Sequence, residues 1–272
     1  MSVISTLITK TCTVHASDSF ISVLQDDGSF RIDESQQSKI VRIHSLRGAM
    51  SYWGLARYDT YKWSTYDWLK EQAQHVRQNL SPEEFAQELT DNLNKRLSQM
   101  KFIKSTDAGI GIHLTAYERI NDYWIPELFL ISNWTDPKYN AVNSGGVHLS
   151  RETYHTIAKV QSSVDHREPS FRRFVHKHIQ KDKWLIYNNG DPAMFNIVAD
   201  AIHKIILLTI YRGNIRELSE IETFQYITRR PIEIVSELQR KLYQKGRQIV
   251  GGKPHDLAIT PTGDFFPRTK DV

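Results

Sequence analysis

Three residues near the start of the chain are of types able to do hydrolytic chemistry. Ser2 offers a hydroxyl, Asp18 a carboxylate and Lys39 an ammonium, and such groups can attack a carbonyl, orient a cation and stabilise developing negative charge. Each also has an ordinary reading. Many chains begin Met-Ser, Asp18 can close a strand through an Asx turn, and Lys39 can be an edge-strand charge. Thr11 and Thr13 are hydroxyls too, but they read as strand residues. Cys12, the one cysteine, lies in the same β-branched run and reads as a small apolar group, since nothing around it marks an activated thiolate.

Other chemistries find less support. The eleven histidines are scattered, and His176 and His178 share a face only on a strand, so no metal site is expected. Arg172, Arg173, His176, Lys177 and Lys181 read as a solvated basic face rather than a docking helix. Trp53, Trp63, Trp68 and Trp124 read as core or subunit-interface residues. Phosphate-cradling Gly-rich loops, His-rich metal motifs and Gly-x-Ser-x-Gly elbows are missing from the sequence, and no cofactor is expected.

The elements that must position these groups belong to a chain of 272 residues, ample for a real core and read as a single domain over 1–272. Apolar residues at 40% and aromatics at 11% exclude a disordered chain. A net charge of +4 is too small to imply a nucleic-acid partner. The segment from Met1 to Val14 fails as a signal peptide, and the apolar run from Ile205 to Tyr211 is too short to cross a bilayer. With one thiol and therefore no internal disulfide, a cytoplasmic location is expected. Asn133-Trp134-Thr135 matches a glycosylation sequon, which has no meaning there.

Strands are expected over Ser2 to Thr9, Thr11 to Ala16 and Lys39 to His44, with a small-residue cleft wall over Gly48 to Gly54. An aromatic-heavy helix follows from Tyr58 to Asn79. The next helix is marked by Ser81-Pro82-Glu83-Glu84, which supplies a cap, a first-turn proline and a capping-box glutamate, and its stripe is Phe85, Leu89, Leu93 and Leu97. Ala108 to Glu118 and Tyr123 to Ser132 form a hairpin around Asn121-Asp122. Trp184 to Tyr187 is a strand ending in a turn at Asn188 to Pro192, where Asp191 caps a helix from Pro192 to Tyr211. A further helix, interrupted or started near Pro231, carries Ile232, Val235, Leu238 and Leu242 to Gly246. A last strand pair begins at Val250-Gly251-Gly252 and turns at Pro261-Thr262-Gly263. Strands, two helices, strands, two helices, strands: this order implies a layered α+β domain with helices outside and sheets stacked inside.

That order, with four local matches, resembles the proteasome β-type peptidases and their bacterial relatives, members of the N-terminal-nucleophile hydrolases. The matches are Val14-His15-Ala16-Ser17-Asp18-Ser19, similar to the family's Ala-Ala-Asp-Ser strand end; Ser38 to Ile43 followed by Gly48-Ala49-Met50; Gly109 to Ile112 with the Tyr123 to Ile131 strand; and Val250 to Ile259 around Gly251-Gly252. The interval of 16 residues from Ser2 to Asp18 is the family's spacing from nucleophile to aspartate.

The resemblance implies a four-layer αββα sandwich and an amide hydrolase, a peptidase foremost, in which Ser2 is exposed by removal of Met1. Its hydroxyl would attack while its freed α-amine, which ordinarily titrates near about pH 8, takes the proton. Lys39 would stabilise developing charge, Asp18 would orient that ammonium, a backbone N–H near Gly54 would serve the oxyanion, and Asn189 would stand for a serine that bonds the amine. A peptide or small amide substrate and a homo-oligomer, a ring or stacked assembly, are implied; an ATP-dependent unfoldase stays open, and neither membrane nor nucleic acid is expected as a partner. The chain departs from the pattern where Arg247 and Val250 replace the family's aspartate and serine before the Gly-Gly turn. The alternative is a catalytically inactive proteasome-fold assembly or binding protein.

Overall fold

A computed structural model of the chain describes residues 2–9, 11–33, 35–77, 79–104, 109–120, 122–133, 142–143, 154–156, 160–161, 184–189, 198–199, 201–202, 205, 220–242 and 250–267. Strands β1 (Ile4–Thr9) and β2 (Thr13–Ser17), rich in β-branched residues, pair antiparallel at the centre of a seven-stranded sheet. Thr9 builds the turn between them: its Oγ1 accepts the N–H groups of Thr11 and Cys12 and donates to the Cys12 carbonyl. On one side the sheet continues through β14 (Trp184–Asn189), β12 (Tyr154–Thr156) and β13 (Val160–Gln161), and on the other through β15 (His255–Ile259) and β16 (Phe265–Pro267).

A second, antiparallel sheet runs in the order β11 (Val142–Asn143), β10 (Tyr123–Ser132), β9 (Ile110–Ile120), β6 (Gly48–Gly54), β5 (Ile40–Ile43). A smaller sheet joins β4 (Phe30–Asp33), β3 (Ile21–Leu24), β7 (Arg57–Tyr58) and β8 (Trp63–Ser64), with β3 and β7 parallel.

Helix α1 (Thr65–Gln74) starts where Ser64 Oγ accepts the Asp67 N–H, and α2 (Pro82–Leu97) carries the full Ser81–Glu84 capping box. Phe85, Leu89, Leu93 and Leu97 of α2 are buried as the stripe predicts, in a cluster with Ile112, Leu114, Phe129 and Ile131 of the second sheet. Helix α3 (Glu220–Leu242) packs on β1, β2 and β15 of the first sheet, and Ile227, Ile232 and Val235 are its apolar contacts. No helix among the described residues is long and apolar enough to cross a membrane.

Several expected boundaries move. The aromatic helix begins at Thr65 rather than Tyr58, because Tyr58 and Trp63 are buried strand residues and a short 3-10 turn at Asp59–Tyr61 separates them. Asn188 and Asn189 are not in a turn: they pair with Ser5 and Ile4 as the end of β14. Pro231 neither starts nor ends a helix but lies inside α3, and Leu238 and Leu242, expected on its buried stripe, are exposed. The last strand begins at His255, after a Gly251-Gly252 turn. Residues 198, 199, 201, 202 and 205 of the helix expected from Pro192 are helical; the basic stretch from His166 to Lys183, Asp191 and Arg247 lie outside the described residues.

Candidate active site

The groups singled out near the N-terminus converge where β1 starts and β2 ends. The antiparallel register carries Val3 opposite Asp18, whose N–H donates to the Val3 carbonyl at 3.2 Å. Asp18 Oδ1 then accepts two bonds, from Lys39 Nζ at 2.7 Å and from the Val3 N–H at 3.0 Å. Its Oδ2 accepts the Gly251 N–H at 3.4 Å, while Ser19 N–H donates to the Gly251 carbonyl. One carboxylate thus ties together the first strand, the residue leading into β5 and the Gly-Gly turn. Lys39 Nζ and the Val3 amide nitrogen, sharing one oxygen, are no further apart than the two bonds laid end to end.

Asp18 and Lys39 are both fully buried. Burial pulls the Lys39 ammonium below the ordinary lysine range, and the Asp18 carboxylate offsets this only in part. Such a pair gains little net stability, but removing one partner leaves an uncompensated buried charge. Ser2 is fully buried as well, and its Oγ has no hydrogen-bond partner among the described residues; the same holds for Ser17 and Ser19 on either side of Asp18. Buried hydroxyls of this kind also occur away from the ion pair, at Ser5 for example.

Gly54 ends β6 with φ of +88°, a conformation that suits glycine, and a Cβ there would come within 2.2 Å of the Gly109 carbonyl. Continuing the pairing of Ile40 with Ser51 sets Lys39 opposite Tyr52, two residues before Gly54. Asn189 lies opposite Ile4, two residues from Ser2, and its amide turns to His113 Nε2 at 3.1 Å. Just before the Gly-Gly turn, Val250 is buried among Val3, Ala16, Ile232 and Val235, and its N–H donates to Gln239 Oε1 of α3.

Sequence reasoning passed over His15 and His113, which are fully buried between the two large sheets. The signal lay in strand alternation: β9 reads Gly111, His113, Thr115 on one face and Ile112, Leu114, Ala116 on the other, so its polar residues face the first sheet. Cys12, buried, has its thiol pushed up to about 11, in keeping with an inert packing group. Among the described residues no cluster of His, Cys, Asp and Glu could hold a metal ion.

No protein-family model matches the sequence, and no curated protein matches it. Among solved structures the chain is similar to Anbu (ancestral beta-subunit) from Yersinia bercovieri, with a TM-score of 0.53 and 11% sequence identity, over 99% of this chain and 87% of that one. At this identity the likeness is one of fold, and it supports a proteasome-like, mixed helix-and-sheet fold for the chain.

Proposed function

We propose that this chain is an amide hydrolase, acting on a peptide bond or a small amide, with Ser2 as an N-terminal nucleophile after removal of Met1. The observation that carries the reading is the pair of hydrogen bonds accepted by Asp18 Oδ1, which pins a buried lysine ammonium beside the peptide that follows Ser2. In this mechanism the freed Ser2 amine takes the hydroxyl proton as Oγ attacks the carbonyl carbon, and the same proton passes to the departing amine when the C–N bond breaks. Water then attacks the Ser2 ester, the amine takes a proton from that water and passes it to Oγ as the ester C–O bond breaks, and the acid product leaves with Ser2 restored. Lys39, fixed by Asp18, lowers the cost of charge on Oγ in a site with little water, and the Gly54 N–H serves the oxyanion. No cofactor enters any step. The reading includes a single-domain, four-layer αββα N-terminal-nucleophile fold, with α3 over one sheet and α1 and α2 over the other, a cytoplasmic location, and self-association into a ring or stack.

The burial of Val250 where the family places a polar support favours a second reading, an inactive proteasome-fold assembly or binding protein. Processing separates the two. Chemistry at Ser2 requires a free α-amine, so the protein purified from its own cell should have an intact mass lacking Met1. A mass retaining Met1 would sink the nucleophile reading and leave the non-catalytic one.

A further inference from the structure

The interface between the two large sheets holds a hydrogen-bonded chain that runs from Asn189 past two buried histidines, neither of which the proposed chemistry uses. Asn189 Nδ2 lies 3.1 Å from His113 Nε2, and His113 Nδ1 lies 2.8 Å from Thr6 Oγ1. Thr6 Oγ1 is 3.4 Å from His15 Nδ1, which also meets Ser51 Oγ at 2.8 Å. His15 Nε2 meets Thr115 Oγ1 at 2.7 Å, and Thr115 reaches Thr13 Oγ1 at 3.3 Å. Burial holds both rings neutral, His15 pushed down to about 3 and His113 well below the ordinary histidine range. Each ring therefore has one donor nitrogen and one acceptor.

That condition gives the chain a direction. An amide N–H only donates, so His113 Nε2 accepts from Asn189 and the ring proton sits on Nδ1, donated to Thr6 Oγ1. The Thr6 proton then points to His15 Nδ1, whose single lone pair it shares with the closer Ser51 hydroxyl at 2.8 Å. The His15 proton is left on Nε2 and is donated to Thr115, whose own proton goes to Thr13. Each ring then has a partner at both nitrogens, and the two rings hold opposite tautomers. The His113 ring also packs against Tyr187, at 4.8 Å, and against Trp53 in an edge-to-face arrangement, at 5.4 Å between centroids. Gly111 admits that indole, since a Cβ there would come within 1.9 Å of it.

We propose that His113 is a positioning residue: its Nδ1–H tautomer grips the Asn189 amide by its nitrogen and leaves the amide oxygen as an acceptor at the Ser2 end of β1. The use of that oxygen by a Ser2 amine rests on Ser2 being the nucleophile. Among the described residues the amide's hydrogen bonds use Nδ2 alone, and in the proposal its oxygen serves the Ser2 amine that processing would create.

The test is nitrogen–proton correlation NMR of the full, labelled chain, with the rings assigned through His15→Gln and His113→Gln. His113 should carry its proton on Nδ1 and His15 on Nε2. In Asn189→Asp the carboxylate only accepts, so His113 Nε2 should change from bare to protonated. A wild-type His113 already protonated on Nε2, or an Nε2 still bare in Asn189→Asp, overturns the proposal. With an amine- and hydroxyl-reactive electrophile, His113→Phe should slow Ser2 acylation roughly tenfold at saturation without moving the half-saturation concentration, and His113→Gln should restore part of the rate. An unchanged rate in His113→Phe overturns the positioning role. A wild type that never labels defeats the nucleophile reading instead, and the tautomer spectra then decide on their own whether His113 sets Asn189.

Discussion

The two faces of strand β9 are built from different chemistry. Toward α2, Ile112, Leu114 and Ala116 join an apolar cluster with Leu89 and Leu93; toward the other sheet, His113 and Thr115 join Thr6, Thr13, His15 and Ser51. The apolar face supplies area, roughly 1.5–3 kcal/mol for each fully buried large side chain, and tolerates exchange among side chains of similar volume. The polar face supplies direction. A slip of one residue would turn His113 and Thr115 into the apolar layer, stripping both of partners, so the polar face specifies the register that the apolar face only stabilises. The Asp18–Lys39 pair sits at the end of this interface and depends on that register for its geometry.

The largest effect should come from the polar side, at its charged end. Lys39→Met leaves the Asp18 carboxylate buried without a cation and should cost about 3–5 kcal/mol in denaturant unfolding. Adding Asp18→Asn should recover much of that loss, which would assign it to the stranded charge rather than to packing. On the apolar side, Leu93→Ala should cost about 2–5 kcal/mol by cavity formation, while leaving the tautomers of His15 and His113 unchanged. Coupling between the two would break the division of labour.

Acid should sharpen it. His15 is neutral and buried in the fold with its ordinary value pushed down to about 3, whereas in the unfolded chain it titrates near 6.5. Below the unfolded value the unfolded state binds the extra proton, so stability falls as pH drops from about 6.5 toward 3, by about 1.4 kcal/mol per pH unit for this ring. His113 shifts in the same direction and adds to the slope. His15→Gln should flatten the dependence, measured as unfolding midpoint against pH. The smallest effect belongs to neither face: Ser81→Ala removes the capping box of α2 and should cost about 1 kcal/mol in the same assay.

Much of the fold was legible where local chemistry is self-sufficient. The Ser81 capping box with its four-residue stripe, and the two-strand start of the chain, needed no knowledge of distant residues. Leu238 and Leu242 misled because helical spacing fixes a face but not where the covering sheet ends. Asn188 and Asn189 misled because their turn propensity yields to pairing with Ser5 and Ile4. At the candidate site, the residue types of Ser2, Asp18 and Lys39 were visible, while the bond from Val3 N–H to Asp18 follows from backbone register, which no side-chain pattern displays. The inward-facing histidines were visible only as members of a set of eleven; alternation within β2 and β9 singles them out once both strands are known to face another sheet.

The central claim is that Ser2 is the nucleophile, and peptide mapping after treatment with an amine- and hydroxyl-reactive electrophile tests it most directly. The wild type, lacking Met1, should carry one adduct on Ser2, and Ser2→Ala, which leaves the Asp18–Lys39 pair in place, should carry none, while Thr11→Ala labels like the wild type. A chain free of Met1 that stays unlabelled, or that carries the adduct on another residue, would contradict the account.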